Sequence, residues 1–154
     1  MTILVLHGVN LNMFGKRDPV HYGTATLEDI NATLHDLAKS LDITLLTFQT
    51  NHEGEMIERI HHILQESVDA VVINAGAWTH TSLALADALA ILPIPCVEVH
   101  MSNIHARESI RHTSLLAPVV SGSIVGFGVE SYCLGLRAAC ALVKKTIKPV
   151  ATHP

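Results

Sequence analysis

The sequence predicts a three-layer α/β domain, a parallel sheet with helices on both faces. Two observations carry that reading: short apolar runs of strand length recur along the chain, and amphipathic helical patterns separate most of them. The runs are Thr2 to Leu6, Ile43 to Phe48, Ala70 to Ile73 and Pro95 to Val99, with a fifth near Val119 to Val125. Most are apolar nearly throughout, as strands buried on both faces are. A strand, helix, strand order needs crossover connections, and these give parallel neighbours of one hand.

The helices follow from spacing. Leu27, Ile30, Leu34, Leu37 and Leu41 recur at helical intervals behind Thr26, an N-cap with Asp29 placed to return its hydrogen bond. Met56, Ile57, Ile60, Ile63 and Leu64 mark a second helix. Leu83, Leu85, Leu89 and Leu92 lie in a third, capped by Thr81 or Ser82 and ended by Pro93, which lacks the N–H a helix needs. Val129 to Ile147 closes the fold, with Lys144, Lys145 and Lys148 at the end where the helix dipole favours cations. The expectation is a flavodoxin-like three-layer sandwich with a five-stranded parallel sheet, one domain over residues 1–148 and a frayed tail over 149–154.

Composition excludes several classes. A chain of 154 residues that is 49% hydrophobic can fill one core. Its formal charge of −4, with ten Lys and Arg scattered among fourteen Asp and Glu, offers no basic stripe for nucleic acid or an anionic membrane. Cys96, Cys133 and Cys140 are odd in number, sit in apolar runs and lack metal-type spacing, so they read as reduced core thiols of a cytoplasmic protein. Met1 to Leu6 is too short for a signal peptide, and no apolar run is long enough to cross a bilayer. No metal is expected: no histidine follows His52 and Glu53 at metalloprotease spacing, and the adjacent His61 and His62 point to different helix faces. Gly122, Gly126 and Gly128 do not match the dinucleotide fingerprint, and no Walker lysine follows them.

In a sheet of this kind ligands bind beyond the carboxyl ends of the strands, so the segments just after the strands are where polar residues carry chemical information. His7 to Gly23 is long and without periodicity, and holds Asn10, Asn12, Arg17 and Tyr22. Two readings stand for it. Tyr22 is a loop anchor and Arg17 a solvated charge, or Arg17 stabilises a tyrosinate that serves as a base, with the asparagines bonding to charge developing on a substrate oxygen. After the third strand, Asn74, His80 and Asp87 form a polar set suited to substrate hydroxyls, or a structural histidine and a solvated helix charge.

The fourth strand ends Glu98, Val99, His100, and the two-residue period of a strand puts the carboxylate and the imidazole on one face. Met101 and Ser102 then enter what reads as a helical turn, whose free N–H groups suit a carboxylate. Arg107 and Arg111 are four apart, which on a helix would give them one face, either toward the site or toward solvent.

These segments resemble one family. NLNMFGKRDPVHYG with Tyr22, NAGAWTHTS with His80, EVHMSNIHARE with His100, and Arg111 at a similar distance beyond, are similar in order and spacing to the type II 3-dehydroquinate dehydratases, or type II dehydroquinases. The resemblance covers nearly the whole chain. It implies trans dehydration of 3-dehydroquinate to 3-dehydroshikimate in the shikimate pathway, through an enolate-like intermediate and with no cofactor. It further implies Tyr22 as base, Arg17 as the cation that holds it anionic, His100 as acid and Glu98 as the residue orienting that acid. Asn10 would hold a water facing the enolate, and Arg107 would help near the lid. Substrate binding would fall to Asn74, His80, Asp87, Met101, Ser102 and Arg111.

A homododecamer, a tetramer of trimers with Asp87 reaching toward a neighbour, is the implied assembly. The departures are Val9 for proline, Trp78 for tyrosine and Met101 for leucine or isoleucine, none of which removes a reacting group. Two rivals fare worse. A flavodoxin-like binding or signalling module would need an acidic phosphorylation pocket or a hydroxyl-rich first loop. A Schiff-base dehydratase would need a lysine elsewhere than in the helices and tail that hold Lys39, Lys144, Lys145 and Lys148.

Overall fold

The computed structural model describes residues 1–16 and 23–147. In chain order the regular elements are β1 (Thr2–His7), α1 (Leu27–Ser40), β2 (Thr44–Gln49), α2 (Glu53–His62), β3 (Ala70–Asn74), α3 (Leu83–Ala90), β4 (Cys96–His100), β5 (Gly122–Val125) and α4 (Glu130–Ile147). The five strands form one sheet in the order β2-β1-β3-β4-β5, and every neighbouring pair is parallel. This is the flavodoxin-like order expected from the sequence, with its topological switch point between β1 and β3.

Both faces of the sheet are covered, and β1 shows why its sequence is apolar throughout. Ile3 and Val5 pack with Ile30 and Leu34 of α1 and with Leu136 and Ala139 of α4. Leu4 and Leu6 point the other way, onto Met56 and Ile60 of α2 and Leu85 and Leu89 of α3. The predicted capping box starts α1: the Asp29 N–H donates to Thr26 Oγ1 at 3.1 Å and the Thr26 N–H donates to Asp29 Oδ2 at 2.9 Å. Of the two candidates, Ser82 caps α3, its hydroxyl oxygen accepting from the Leu85 N–H at 2.9 Å. The three cysteines are buried and unpaired, as expected of core thiols.

Two expectations fail between β4 and β5. No α-helix follows β4: the chain makes two single 3-10 turns, Ile104–Ala106 and Ser109–Arg111. Beyond Met101 and Ile104, the large apolar residues there, Ile110, Leu115 and Leu116, do not recur at three or four, so no stripe longer than one turn could be buried. The fifth strand begins at Gly122 rather than near Val119. Val119 and Val120 instead close a turn, both donating to the Leu116 carbonyl, and pack against the α2–α3 side of the core.

Gly8 joins the ends of β1 and β3. Its N–H donates to the Asn74 carbonyl at 2.8 Å, and a Cβ at that position would lie 2.4 Å from the Ala75 carbonyl oxygen. Only a glycine lets the two strand ends approach this closely, and Asn74, which ends β3, and Asn10, which follows Gly8, lie at that junction.

Candidate active site

His100 is the last residue of β4, and the strand period does bring Glu98 beneath it. The His100 Nε2–H donates to Glu98 Oε1 at 2.8 Å, and the carboxylate is only 1% exposed. Three hydroxyls complete its shell. Thr79 donates to the same oxygen, Ser114 donates at 2.8 Å to Oε1, and Ser123, the register partner of Glu98 on β5, donates at 2.9 Å to Oε2. The Ser114 oxygen already accepts the N–H groups of Leu116 and Ala117 at 3.1 and 3.0 Å, so its one proton is left for the carboxylate.

Burial alone would push the Glu98 carboxyl up, but the bonds from His100 and Thr79, the imidazole charge and Ser114 outweigh it and hold the group at about 2. Glu98 is therefore an anion at neutral pH. With Nε2 committed to it, Nδ1 is the His100 nitrogen left to exchange a proton with a ligand.

A cleft of about 120 Å³ opens over His100, and Asn10, Asn74, His80, His100, Met101, Ser102, Arg107 and Arg111 all line it. These are eight of the twelve residues expected at the site. His80 donates from Nδ1 to the Thr113 carbonyl at 2.9 Å, since a carbonyl can only accept, which leaves Nε2 as its other ring nitrogen. The His80 and His100 rings stack, with centroids 6.3 Å apart and planes 20° off parallel. Asn10 adopts a left-handed conformation (φ 66°), and its N–H donates to Asn51 Oδ1 at 2.8 Å.

Met101 and Ser102 line the cleft from a bend, not from a helix start, because the first 3-10 turn begins only at Ile104. The shared helix face foreseen for Arg107 and Arg111 does not exist either, yet both reach the cleft. The Nε atoms of both lie 3.3 Å from the Glu108 Oε2, so one carboxylate between them does what helical spacing was expected to do.

Asp87 is the exception. It is exposed on α3 and does not line the cleft of its own chain, so it does not join Asn74 and His80. Arg17 and Tyr22 lie outside the described residues, as does the tail. Thr79, Ser114 and Ser123 were missed, as were the buried His7 and Tyr132 and the half-buried Asn31, a chain of which Tyr132 bonds to Asn74. Thr79 sits in a motif that the sequence did highlight; nothing short of strand register would have found Ser123. Among the described residues no group of three or more His, Cys, Asp or Glu side chains is placed to hold a metal, and no helix is long and apolar enough to cross a membrane.

Fold and site together define the class: a doubly wound α/β enzyme whose cleft, at the carboxyl ends of its strands, is built on a buried carboxylate–imidazole pair. The family model for class II dehydroquinases matches residues 1–140, and the chain belongs to that family. It is 64% identical over 142 residues to the 3-dehydroquinate dehydratase of Syntrophotalea carbinolica, covering 92% of this chain and 96% of that protein. Among solved structures, the type II dehydroquinase of Butyrivibrio crossotus superposes with a TM-score of 0.89 at 40% identity, covering 91% of this chain and 97% of the other. That of Propionibacterium acnes gives 0.86 at 42% identity, covering 93% and 96%.

Proposed function

We propose that this chain is a type II 3-dehydroquinate dehydratase, a lyase that converts 3-dehydroquinate to 3-dehydroshikimate in the shikimate pathway. The observation that carries the reading is the Glu98–His100 pair beneath a cleft lined by two arginines, two asparagines and a second histidine. The substrate is a small polyhydroxylated carboxylate: Arg111 and the Met101–Ser102 backbone suit its carboxylate, and Asn74 and His80 its hydroxyls.

The reaction needs a base and an acid. Tyr22, held anionic by Arg17, takes the proton alpha to the ketone; the C–H electron pair becomes the enolate double bond and the carbonyl π pair moves onto oxygen, whose charge Asn10 stabilises through a bound water. When the enolate collapses, the carbon–carbon double bond forms and the hydroxyl leaves with a proton from His100 Nδ1. Anionic Glu98 stabilises the imidazolium that supplies it. Arg107 assists beside Arg111. The roles of Tyr22 and Arg17 rest on the family motif alone.

The reading includes a single catalytic domain over residues 1–148, a cytoplasmic location and a homododecamer. Leu83, Asp87 and Ile91 fall at helical spacing, so Asp87 sits in a stripe whose apolar members are 68% and 56% exposed, a surface suited to a neighbouring subunit. An ultraviolet assay for enone formation tests the function. Wild type is expected to turn over 3-dehydroquinate, and Tyr22→Phe and His100→Ala are each expected to lose about 10² to 10⁴ in kcat. No wild-type turnover refutes the function, and near-normal turnover by Tyr22→Phe refutes the base.

A further inference from the structure

His7 and Tyr132 are both fully buried and far apart in sequence, and neither touches the cleft. His7 ends β1, opposite Asn74 at the end of β3. Tyr132 lies in the first turn of α4. Its hydroxyl is 3.0 Å from Asn74 Nδ2 and 3.0 Å from His7 Nδ1, while His7 Nε2 is 2.9 Å from Asn31 Oδ1 on α1. A continuous chain of hydrogen bonds thus runs from α1 through the sheet to α4 and returns to an amide that lines the cleft.

The direction of this chain is fixed by one group that can only donate. The Gly76 N–H lies 3.1 Å from Asn74 Oδ1, so that atom is the oxygen, and the amide nitrogen faces Tyr132. The phenol oxygen accepts from the amide and must send its own proton to His7 Nδ1. His7 Nδ1 is then an acceptor, which makes the ring the neutral tautomer carrying its proton on Nε2, where Asn31 Oδ1 receives it. Burial favours the same state, holding the His7 pKa down to about 4 against the opposing Asn31 bond, and pushes the Tyr132 phenol up against the opposing Asn74 bond. Every member is satisfied in one arrangement only.

We propose that His7 and Tyr132 are positioning residues that set which way the Asn74 amide faces, and so which donor and acceptor it presents to substrate. Without an acceptor at His7 Nδ1, the phenol turns its proton toward Asn74 and favours the flipped amide, which strips the Gly76 N–H of its partner. Without the phenol, the amide nitrogen loses its buried acceptor, and nothing but Gly76 resists rotation. The inference rests on Asn74 being a substrate-binding group, as proposed above.

Four variants and wild type test it, with KM and kcat measured separately and folding checked by thermal melting. Asn74→Ala tests the underlying reading: a raised KM supports it, and an unchanged KM refutes it without reference to His7. Tyr132→Phe preserves the buried ring and is expected to raise KM about tenfold, the loss of roughly one net hydrogen bond, with a smaller fall in kcat. His7→Leu is expected to raise KM similarly, whereas His7→Asn, whose Oδ1 can take the place of Nδ1 as acceptor, restores KM to within about threefold of wild type, roughly half a hydrogen bond. If Tyr132→Phe folds with wild-type KM, the proposal is overturned. If His7→Asn and His7→Leu raise KM equally, His7 fills space instead of directing a bond, and the proposal is again overturned.

Discussion

Replacing Glu98 by Gln keeps the shape of the side chain and removes its charge, so it isolates what the anion does for His100. The carboxyl sits at about 2 instead of 4.5, which means its surroundings favour the anion by about 3 kcal/mol, at about 1.4 kcal/mol for each tenfold. Three groups carry that preference against the opposing cost of burial: His100, Thr79 and Ser114. In Glu98→Gln the amide oxygen replaces Oε1 and keeps a neutral bond to the His100 N–H. A bond to a charged group exceeds a neutral one by about 1 to 1.5 kcal/mol, so the contact that holds His100 for proton transfer weakens by a factor of about 5 to 12. We expect kcat at neutral pH to fall about tenfold and KM to change little. The ultraviolet enone assay measures both. A variant with wild-type kcat, or one whose loss lies in KM, would falsify the assignment of Glu98 as the partner of the acid.

Acid should destabilise the fold in two windows. Folded His7 sits at about 4, below its ordinary 6.5, so above 6.5 both states are neutral; as the pH falls from 6.5 to 4 the unfolded chain takes a proton that the folded one refuses, costing up to about 3 kcal/mol. Glu98 is depressed from 4.5 to about 2, so its contribution is present above 4.5 and is lost as the pH falls from there to 2, again about 3 kcal/mol. Urea midpoints measured against pH should show both windows in wild type and the lower one alone in His7→Asn; a flat profile between 6.5 and 4 contradicts the burial argument for His7. Gly8→Ala should cost about 1 to 3 kcal/mol, because its Cβ would meet backbone 2.4 Å away and the strand ends must separate. An unchanged Tm in Gly8→Ala would show that the strand ends give way freely, and a lower Tm should come with a lower kcat/KM, since Asn10 and Asn74 move with those ends.

What the sequence made legible was whatever local periodicity determines. Four of the strands and the Thr26–Asp29 capping box lie where spacing put them, because a short apolar run and a helix with one apolar stripe leave distinct patterns. Glu98 and His100 share a face for the same local reason: two residues of strand separate them. The segment after β4 was misread because polar residues four apart suggest a helix, although no apolar stripe supports one there. Closeness in sequence groups Asp87 with Asn74 and His80, but the turns of α3 carry it to the outer surface of its own chain, so a site shared by all three needs the neighbouring subunit that the resemblance implies. Contacts set by register and packing left no trace at all. Ser123 reaches Glu98 because β5 pairs beside β4, and His7 meets Tyr132 across 125 positions, where each residue read alone is an ordinary member of a strand or a helix.

The two buried polar networks share one physical logic. A carboxylate beneath His100 and an imidazole behind Asn74 are costly to bury unless every donor and acceptor is matched, and each is matched in a single arrangement. In the Glu98 network all the surrounding groups donate, so the only stable centre is an anion, and the anion takes the Nε2 proton of the acid above it and leaves Nδ1 toward the cleft. The His7 network contains no net charge, and its members alternate donor with acceptor, so the only stable centre is a neutral ring and the outcome is an amide of fixed orientation. One network thus tunes a proton and the other a direction. The difference follows from the count of donors: add one proton to the His7 chain and it acquires two donors facing each other at Tyr132, which is why the ring must stay neutral for Asn74 to hold its place.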